Sequence, residues 1–359
     1  MRLALIVLTA AAATLLVLHV LMRLAPALKL LDHPGGRKNH GASTPLVGGI
    51  AIACTLLAGL AVINPASGVA MALATVMLIA IGVADDRHEI SPFPRLAVQA
   101  AAGMVMILLG QVQLRTVGDL FGLGPVGLWV FVVPMTIFAT IGVINAVNMV
   151  DGLDGHSSIA ILVALAAYAF VAHDSRLGEQ YLVLLVLLGA MIAFLLLNLR
   201  GPWQRRARVF LGDAGSMLMG FLLAWFAIDL SNGPGRTFAP ICALWVLIIP
   251  LCDCVSLMLR RHKTGLGAFN ADRQHLHHWL LDRGYTVSQT NLVMLLASSL
   301  CALVGIAGWK YNVPEPLLFT GFVALFLTHH LYMSHYFRER DVMTTGMHDF
   351  PDEVIKQSR

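Results

Sequence analysis

The stretch Asn145-Ala146-Val147-Asn148-Met149-Val150-Asp151-Gly152-Leu153-Asp154-Gly155 puts two amides and two carboxylates into eleven residues. The amides are three apart, and so are the acids. At a helix end that spacing stacks side-chain oxygens on one side. Asn and Asp are ordinary turn formers, which accounts for one Asp-Gly pair. It does not account for the doubled spacing. A cluster of oxygens of this kind suits a hard cation shared with phosphate groups.

Other stretches carry related chemistry. Asp85-Asp86 closes an apolar run, in Gly82-Val83-Ala84-Asp85-Asp86-Arg87. Acids at a helix C-terminus oppose the macrodipole and repel one another, so such a pair is costly unless it is used. In Arg208-Val209-Phe210-Leu211-Gly212-Asp213-Ala214-Gly215-Ser216, Asp213 can cap the following helix, bind Mg²⁺, or both. Phe210 is either packing or a surface on which a base can stack. Leu31-Asp32-His33-Pro34-Gly35-Gly36-Arg37-Lys38-Asn39-His40 is a basic loop, followed by Pro45-Leu46-Val47-Gly48-Gly49. Arg37 and Lys38 can meet phosphate oxygens, with the glycine pair permitting close approach. The segment Asp272 to Gly284 reads as a short amphipathic helix, capped by Asn270 or Asp272 and stopped by Gly284. Leu276, Trp279 and Leu280 form a stripe suited to a membrane surface. His275 and His278 share another face, and histidine can donate to phosphate and carry charge near pH 7.

Something must hold these stretches together. Of the 359 residues, 58% are hydrophobic and 12% charged, with a mean hydropathy of +0.77. Soluble domains average about 25% charged. The chain therefore reads as an all-α, polytopic membrane bundle. Eleven apolar spans are expected, at 2–24, 46–63, 67–84, 95–111, 125–144, 157–172, 180–198, 214–230, 238–258, 289–308 and 314–333. The first also resembles a signal peptide. With the N-terminus outside, 19 Lys and Arg fall on the inner face and 5 on the outer. The positive-inside rule thus predicts a periplasmic N-terminus and a cytoplasmic C-terminus. Residues 1–337 read as one transmembrane catalytic domain, and 338–359 as a polar cytoplasmic tail. All the stretches above then lie on the cytoplasmic face. The five cysteines form no CxxC, and neither disulfides nor zinc at the thiols is expected.

Acids beside Arg, Lys and His at a membrane surface suit Mg²⁺-assisted phosphoryl transfer between a lipid and a soluble substrate. There is no G-x-x-x-x-G-K-[ST], so no P-loop. A transporter or non-catalytic scaffold is the alternative of another class. Transporters use ionisable or broken helices at mid-depth, and the span centres lack obvious charges.

DHPGGRKNH with PLVGG, GVADDR, NAVNMVDGLDG, VFLGDAGS and DRQHLHHWL, in this order, resemble the polyprenyl-phosphate N-acetylhexosamine-1-phosphate transferases (glycosyltransferase family 4). H-L-H-H is closer to the group that uses UDP-GlcNAc than to the P-x-H-H-H of the phospho-N-acetylmuramoyl-pentapeptide enzymes. The resemblance implies transfer of N-acetylglucosamine-1-phosphate from UDP-GlcNAc to undecaprenyl phosphate in the bacterial inner membrane, with release of UMP. That would be the first membrane step of an O-antigen or other envelope polysaccharide. Another UDP-N-acetylhexosamine, or UDP-MurNAc-pentapeptide, is the alternative donor. The implied cofactor is Mg²⁺, with Mn²⁺ as a substitute; nucleic acid is not an expected partner, and a homodimer is compatible with the family.

By the same resemblance Asn148 and Asp213 hold the metal. Asp85, Asp86, Asp154, His275 and His278 are the catalytic candidates. Arg37, Lys38, Asn145, Asp151, Phe210, Arg273 and His277 are the substrate-binding candidates. Asp85 could orient the lipid phosphate, deprotonate it, or attack first itself. His156 and Ser157 depart from the family pattern, which more often has apolar or small residues there.

Overall fold

The computed structural model describes residues 2–32, 43–201, 203–233, 238–263 and 274–348, with side chains as far as Arg340. Its helices are α1 (Arg2–Leu24), α2 (Gly48–Ile63), α3 (Gly68–His88), α4 (Pro92–Leu108), α5 (Val132–Val150), α6 (His156–Asp174) and α7 (Gly178–Asn198). They continue with α8 (Gly212–Asn232), α9 (Pro240–Val246), α10 (Ile248–Lys263), α11 (Leu276–Asp282), α12 (Val287–Lys310) and α13 (Glu315–His348). Two short strands, β1 (Leu31–Asp32) and β2 (Thr44–Pro45), pair antiparallel.

Each of the eleven apolar stretches falls on a helix or on the α9–α10 pair. By length and composition, eight of the described helices can cross a bilayer, or nine if the bent pair counts as one span. Helices α2 and α4 are apolar but have only 16 and 17 residues. A straight crossing needs about 20. The stretch 238–258 is not one straight helix: α9 and α10 meet at 81° across Leu247. Pro250 explains the break, because it has no N–H to donate to Val246 and its ring crowds that carbonyl. Hydropathy alone did not reveal it.

Helix α8 is the axle of the bundle. Nearly all of its residues are buried, from Gly212 through Leu230 and Ser231, and α2, α3, α5 and α6 pack around it. In contrast α1 and α13 expose leucines along their length, as helices facing lipid do. Helix α8 has no strong apolar stripe because it has no solvent side. Its first turns meet the start of α2 almost backbone to backbone: a Cβ on Gly49 would lie 2.2 Å from the Gly215 Cα. The backbone N–H groups of Gly48 and Gly49 donate to the carbonyls of Phe210 and Leu211 at 3.0 and 2.9 Å. The Gly48-Gly49 pair, read as an approach for phosphate, is thus buried against α8 and the segment before it.

This packing sets which ends meet. The C-terminal ends of α3, α5, α7 and α10 and the N-terminal ends of α2, α6, α8 and α11 form one face, where the described parts of the polar stretches gather.

Candidate active site

The site forms where α3, α5 and α8 converge. Asn148, near the end of α5, donates from Nδ2 to Asp213 Oδ1 at 2.6 Å and to Ser216 Oγ at 2.8 Å. Asp213 and Ser216 are three apart on α8 and so share a face. Asp85 faces Asp213, carboxyl to carboxyl. Asp85 is buried, and both its oxygens are engaged: Oδ1 accepts from the Ile90 N–H at 2.8 Å, and Oδ2 pairs with the Arg95 guanidinium.

Asp86 turns the other way. Its Oδ1 and Oδ2 accept the backbone N–H groups of Asp213 and Ala214 at 2.8 and 3.3 Å. It thereby caps α8 from another helix, at the end where the macrodipole favours an anion. Gly212 makes room for it: its φ is +74°, and a Cβ there would sit 2.7 Å from Asp86 Oδ2. The cap role considered for Asp213 therefore belongs to Asp86. Leu211, at the N-cap position itself, offers no side-chain bond.

The rest of NAVNMVDGLDG spreads over several partners. Asn145 points away from the acids and donates to Gln99 Oε1 and the Ile141 carbonyl, both at 2.8 Å. Asp151 accepts from the Ser157 hydroxyl. Burial pushes the Asp151 carboxyl up to about 7, with the Asp213 and Asp154 charges adding to it and the Ser157 bond opposing it. Asp154 Oδ2 takes the Arg200 Nε at 2.6 Å and the Ala207 N–H at 2.9 Å. It ties the turn to the segment that leads into α8. Phe210 is half-buried, and its backbone is paired with Pro45 and Gly48.

The histidine segment meets the same turn. A Cβ on Gly152 would lie 3.2 Å from His277 Nε2. The ring of His277 stacks on His275, centroids 5.4 Å apart and 5° between planes, and lies 4.2 Å from His278. Burial holds His277 well below the ordinary imidazole value, with repulsion from His156, His278 and His275 adding to the effect. The neutral ring is thereby favoured there. His275 Nδ1 bonds Asp253 Oδ2 at 2.8 Å, and Asp253 Oδ1 accepts the Leu276 N–H at 3.0 Å. Asp253, on α10, is thus the observed cap of α11, while Asn270 and Asp272 lie outside the described residues. Nor does the Leu276-Trp279-Leu280 stripe lie free for the membrane surface. Leu280 is buried, and Trp279 meets Tyr332 of α13 edge to face at 5.7 Å.

Arg37, Lys38 and Arg273 also lie outside the described residues. Five contributors were missed in the sequence. Arg95 stands in no motif. Ser216 stood inside a quoted motif at helical spacing from Asp213, the one signal that could have found it. Gln99, Asp253 and Arg200 had no local pattern, because their partners are distant in the chain.

The model of the family described as "Glycosyl transferase family 4" matches residues 68–231. An Escherichia coli O157:H7 protein named undecaprenyl-phosphate alpha-N-acetylglucosaminyl 1-phosphate transferase is 35% identical over 323 residues, 88% of this chain and 86% of its own. The chain belongs to glycosyl transferase family 4. Proteins of the same name from Haemophilus influenzae and Yersinia pestis are 35% and 34% identical. They cover 90% and 86% of the chain, and 92% and 86% of their own lengths. The matched family region runs from the start of α3 to the last turn of α8. It therefore contains both acids of the Asp85-Asp86 pair, Asn148 and Asp213.

Proposed function

We propose that this glycosyl transferase family 4 member transfers N-acetylglucosamine-1-phosphate from UDP-GlcNAc to undecaprenyl phosphate, giving undecaprenyl-pyrophosphoryl-GlcNAc and UMP. The observation that carries the reading is the meeting of Asn148, Asp213 and Asp85 at one end of three helices, in a chain whose relatives bear that name. The work is done at a bacterial inner membrane, with this face toward the cytoplasm, the N-terminus outside and the C-terminus inside.

The residues fit Mg²⁺. Asp213 and Asp85 bring two carboxylates face to face, and Arg95 is paired with Asp85. Ser216 adds a hydroxyl, and rotating the Asn148 amide exchanges its nitrogen for a carbonyl oxygen. Among the described residues no three His, Cys, Asp or Glu side chains form a metal cage. Mg²⁺ needs none, since it takes one or two carboxylates and shares its other positions with phosphates and water. Asn148 and Asp213 would hold the ion, which would neutralise charge on the pyrophosphate.

The protein's own part is to hold and orient. The prenyl phosphate has a second pKa of about 6 and is largely a dianion at pH 7. It needs no strong base. Asp85 is held in place by the Ile90 N–H and the Arg95 guanidinium, which suits it to orient the acceptor and not to attack. It orients the acceptor in a single displacement: an acceptor phosphate oxygen bonds to the sugar-bearing phosphorus, the bond from that phosphorus to the bridging oxygen breaks, and UMP leaves with that oxygen and the bond's electron pair. The sugar–oxygen bond is not broken, so the anomeric configuration is kept.

The deciding experiment supplies purified protein with radiolabelled UDP-GlcNAc, undecaprenyl phosphate and Mg²⁺. Labelled lipid and one UMP per lipid are expected. No product with any UDP-sugar would sink the reading, and product only with another UDP-N-acetylhexosamine would replace the donor.

A further inference from the structure

His156 is the first residue of α6, directly after the Gly152–Gly155 turn. Its side chain is 1% exposed, and its Nδ1 is buried with no hydrogen-bond partner. Beside it His277, also 1% exposed, has neither ring nitrogen partnered. The two rings meet edge to face with centroids 4.8 Å apart. On another side His277 is stacked on His275, which Asp253 fixes. His277 is therefore held between two supports, and His156 is the one that belongs to the turn bearing Asp151 and Asp154.

A buried imidazole nitrogen without a partner has lost its water and gained nothing. A leucine would fill a similar volume without that loss. Hydrophobic packing alone thus does not explain a histidine here, nor does any side-chain bond of His156 among the described residues. What the ring does do is touch His277, at the place where the histidine segment meets the turn. Aromatic edges prefer such contacts over loose packing, which gives them an orienting force.

We propose that His156 is a positioning residue of the donor site, its ring fixing His277 against the Gly152–Gly155 turn in the orientation that engages the nucleotide sugar. The inference rests on the reading of the site as that of a UDP-sugar transferase. His156 acts through His277 and so affects the donor and not the lipid acceptor.

The test compares the wild-type chain with His156→Leu and His156→Phe, purified whole in detergent. KM for UDP-GlcNAc, KM for undecaprenyl phosphate and kcat are measured, with melting temperature taken with and without UDP-GlcNAc. His156→Leu should melt no lower than wild type, while its donor KM rises about tenfold and its acceptor KM stays within about twofold. The stabilisation by UDP-GlcNAc should shrink in the same variant. His156→Phe keeps an aromatic edge and should recover most of the donor affinity. Should the leucine protein not accumulate, His156→Asn takes its place and should behave like it. A leucine variant with wild-type donor KM overturns the inference, as does one that loses stability with both KM values unchanged, or a phenylalanine variant no better than leucine. Wild-type protein that transfers nothing would instead sink the functional reading, and this inference with it.

Discussion

Asp86 Oδ1 accepts the backbone N–H of Asp213 at 2.8 Å, so one acid of the Asp85-Asp86 pair serves the helix that its neighbour's partner stands on. The two adjacent carboxylates therefore have different work. Asp86→Ala should lower stability by about 1 kcal/mol, the usual value of a helix cap, and reduce transfer because Asp213 shifts. Asp86→Asn keeps an acceptor oxygen and should recover most of both. Asp85→Asn should lose transfer without the cap penalty. Thermal melts in detergent beside the transfer assay separate the three, and equal melting of Asp86→Ala and wild type would remove the cap.

Asp213 supplies charge and not a cap. Asp213→Asn should abolish transfer and the rise in melting temperature on adding Mg²⁺, yet leave the metal-free protein at least as stable, because it removes a charge facing Asp85. Retained Mg²⁺ stabilisation in that variant would move the metal elsewhere.

The bond from Arg200 Nε to Asp154 Oδ2, at 2.6 Å, holds the turn to the segment before α8. Hydrogen bonds to charged groups contribute about 1.5–3 kcal/mol. Asp154→Ala should cost about that much stability, together with some activity. Arg200→Met should do much the same, and the double variant little more. Strictly additive losses would show that the pair is not coupled.

His277 gives a pH signature. In the unfolded chain it titrates near its ordinary value, about 6.5, whereas in the fold it lies well below. Between those values the unfolded chain binds the extra proton. The contribution to stability is therefore full above about pH 6.5 and is lost as pH falls below it. Melting temperature should drop from pH 7.5 to 5.5, and His277→Leu should flatten the drop. Parallel curves for the two proteins would refute it.

Orientation can be read with an impermeant thiol reagent on intact cells. Leu123 is 91% exposed in the connection between α4 and α5. Arg206 is exposed in the one between α7 and α8. Leu123→Cys should label and Arg206→Cys should not, with the unaltered chain as control. The reverse pattern would invert the bundle and the side on which the donor binds.

Much of this was legible in the sequence, for physical reasons. Apolar runs have to become helices in lipid, and so all eleven stretches fall on helical segments. Asp85 stood out because an acid pair at a helix C-terminus opposes the dipole, and Asn148 and Asp213 because their motifs set oxygens at helical spacing or between glycines. What stayed hidden were pairings across the chain. Asn145 looked like part of the oxygen cluster, yet its amide is claimed by Gln99 on α4, a residue in an otherwise apolar run. Asp253 sat inside a span whose bend hydropathy cannot register, so its hold on His275 could not be read. The cap on α8 was sought in its own first turn and came from α3.

The borrowed cap on α8 also fixes an order of events during synthesis. Asp86 and the amide that it caps are 127 residues apart. At about 5–20 residues per second, the ribosome delivers Asp213 roughly 6–25 s after Asp86. Through that interval α3 carries two acids with no α8 to receive them, and Asn148 has neither of the partners that α8 gives it. A chain cut short anywhere before α8 therefore lacks Asp213 and Ser216, so its Asn148 amide and Asp86 carboxylate are left without the groups that they bond in the whole protein.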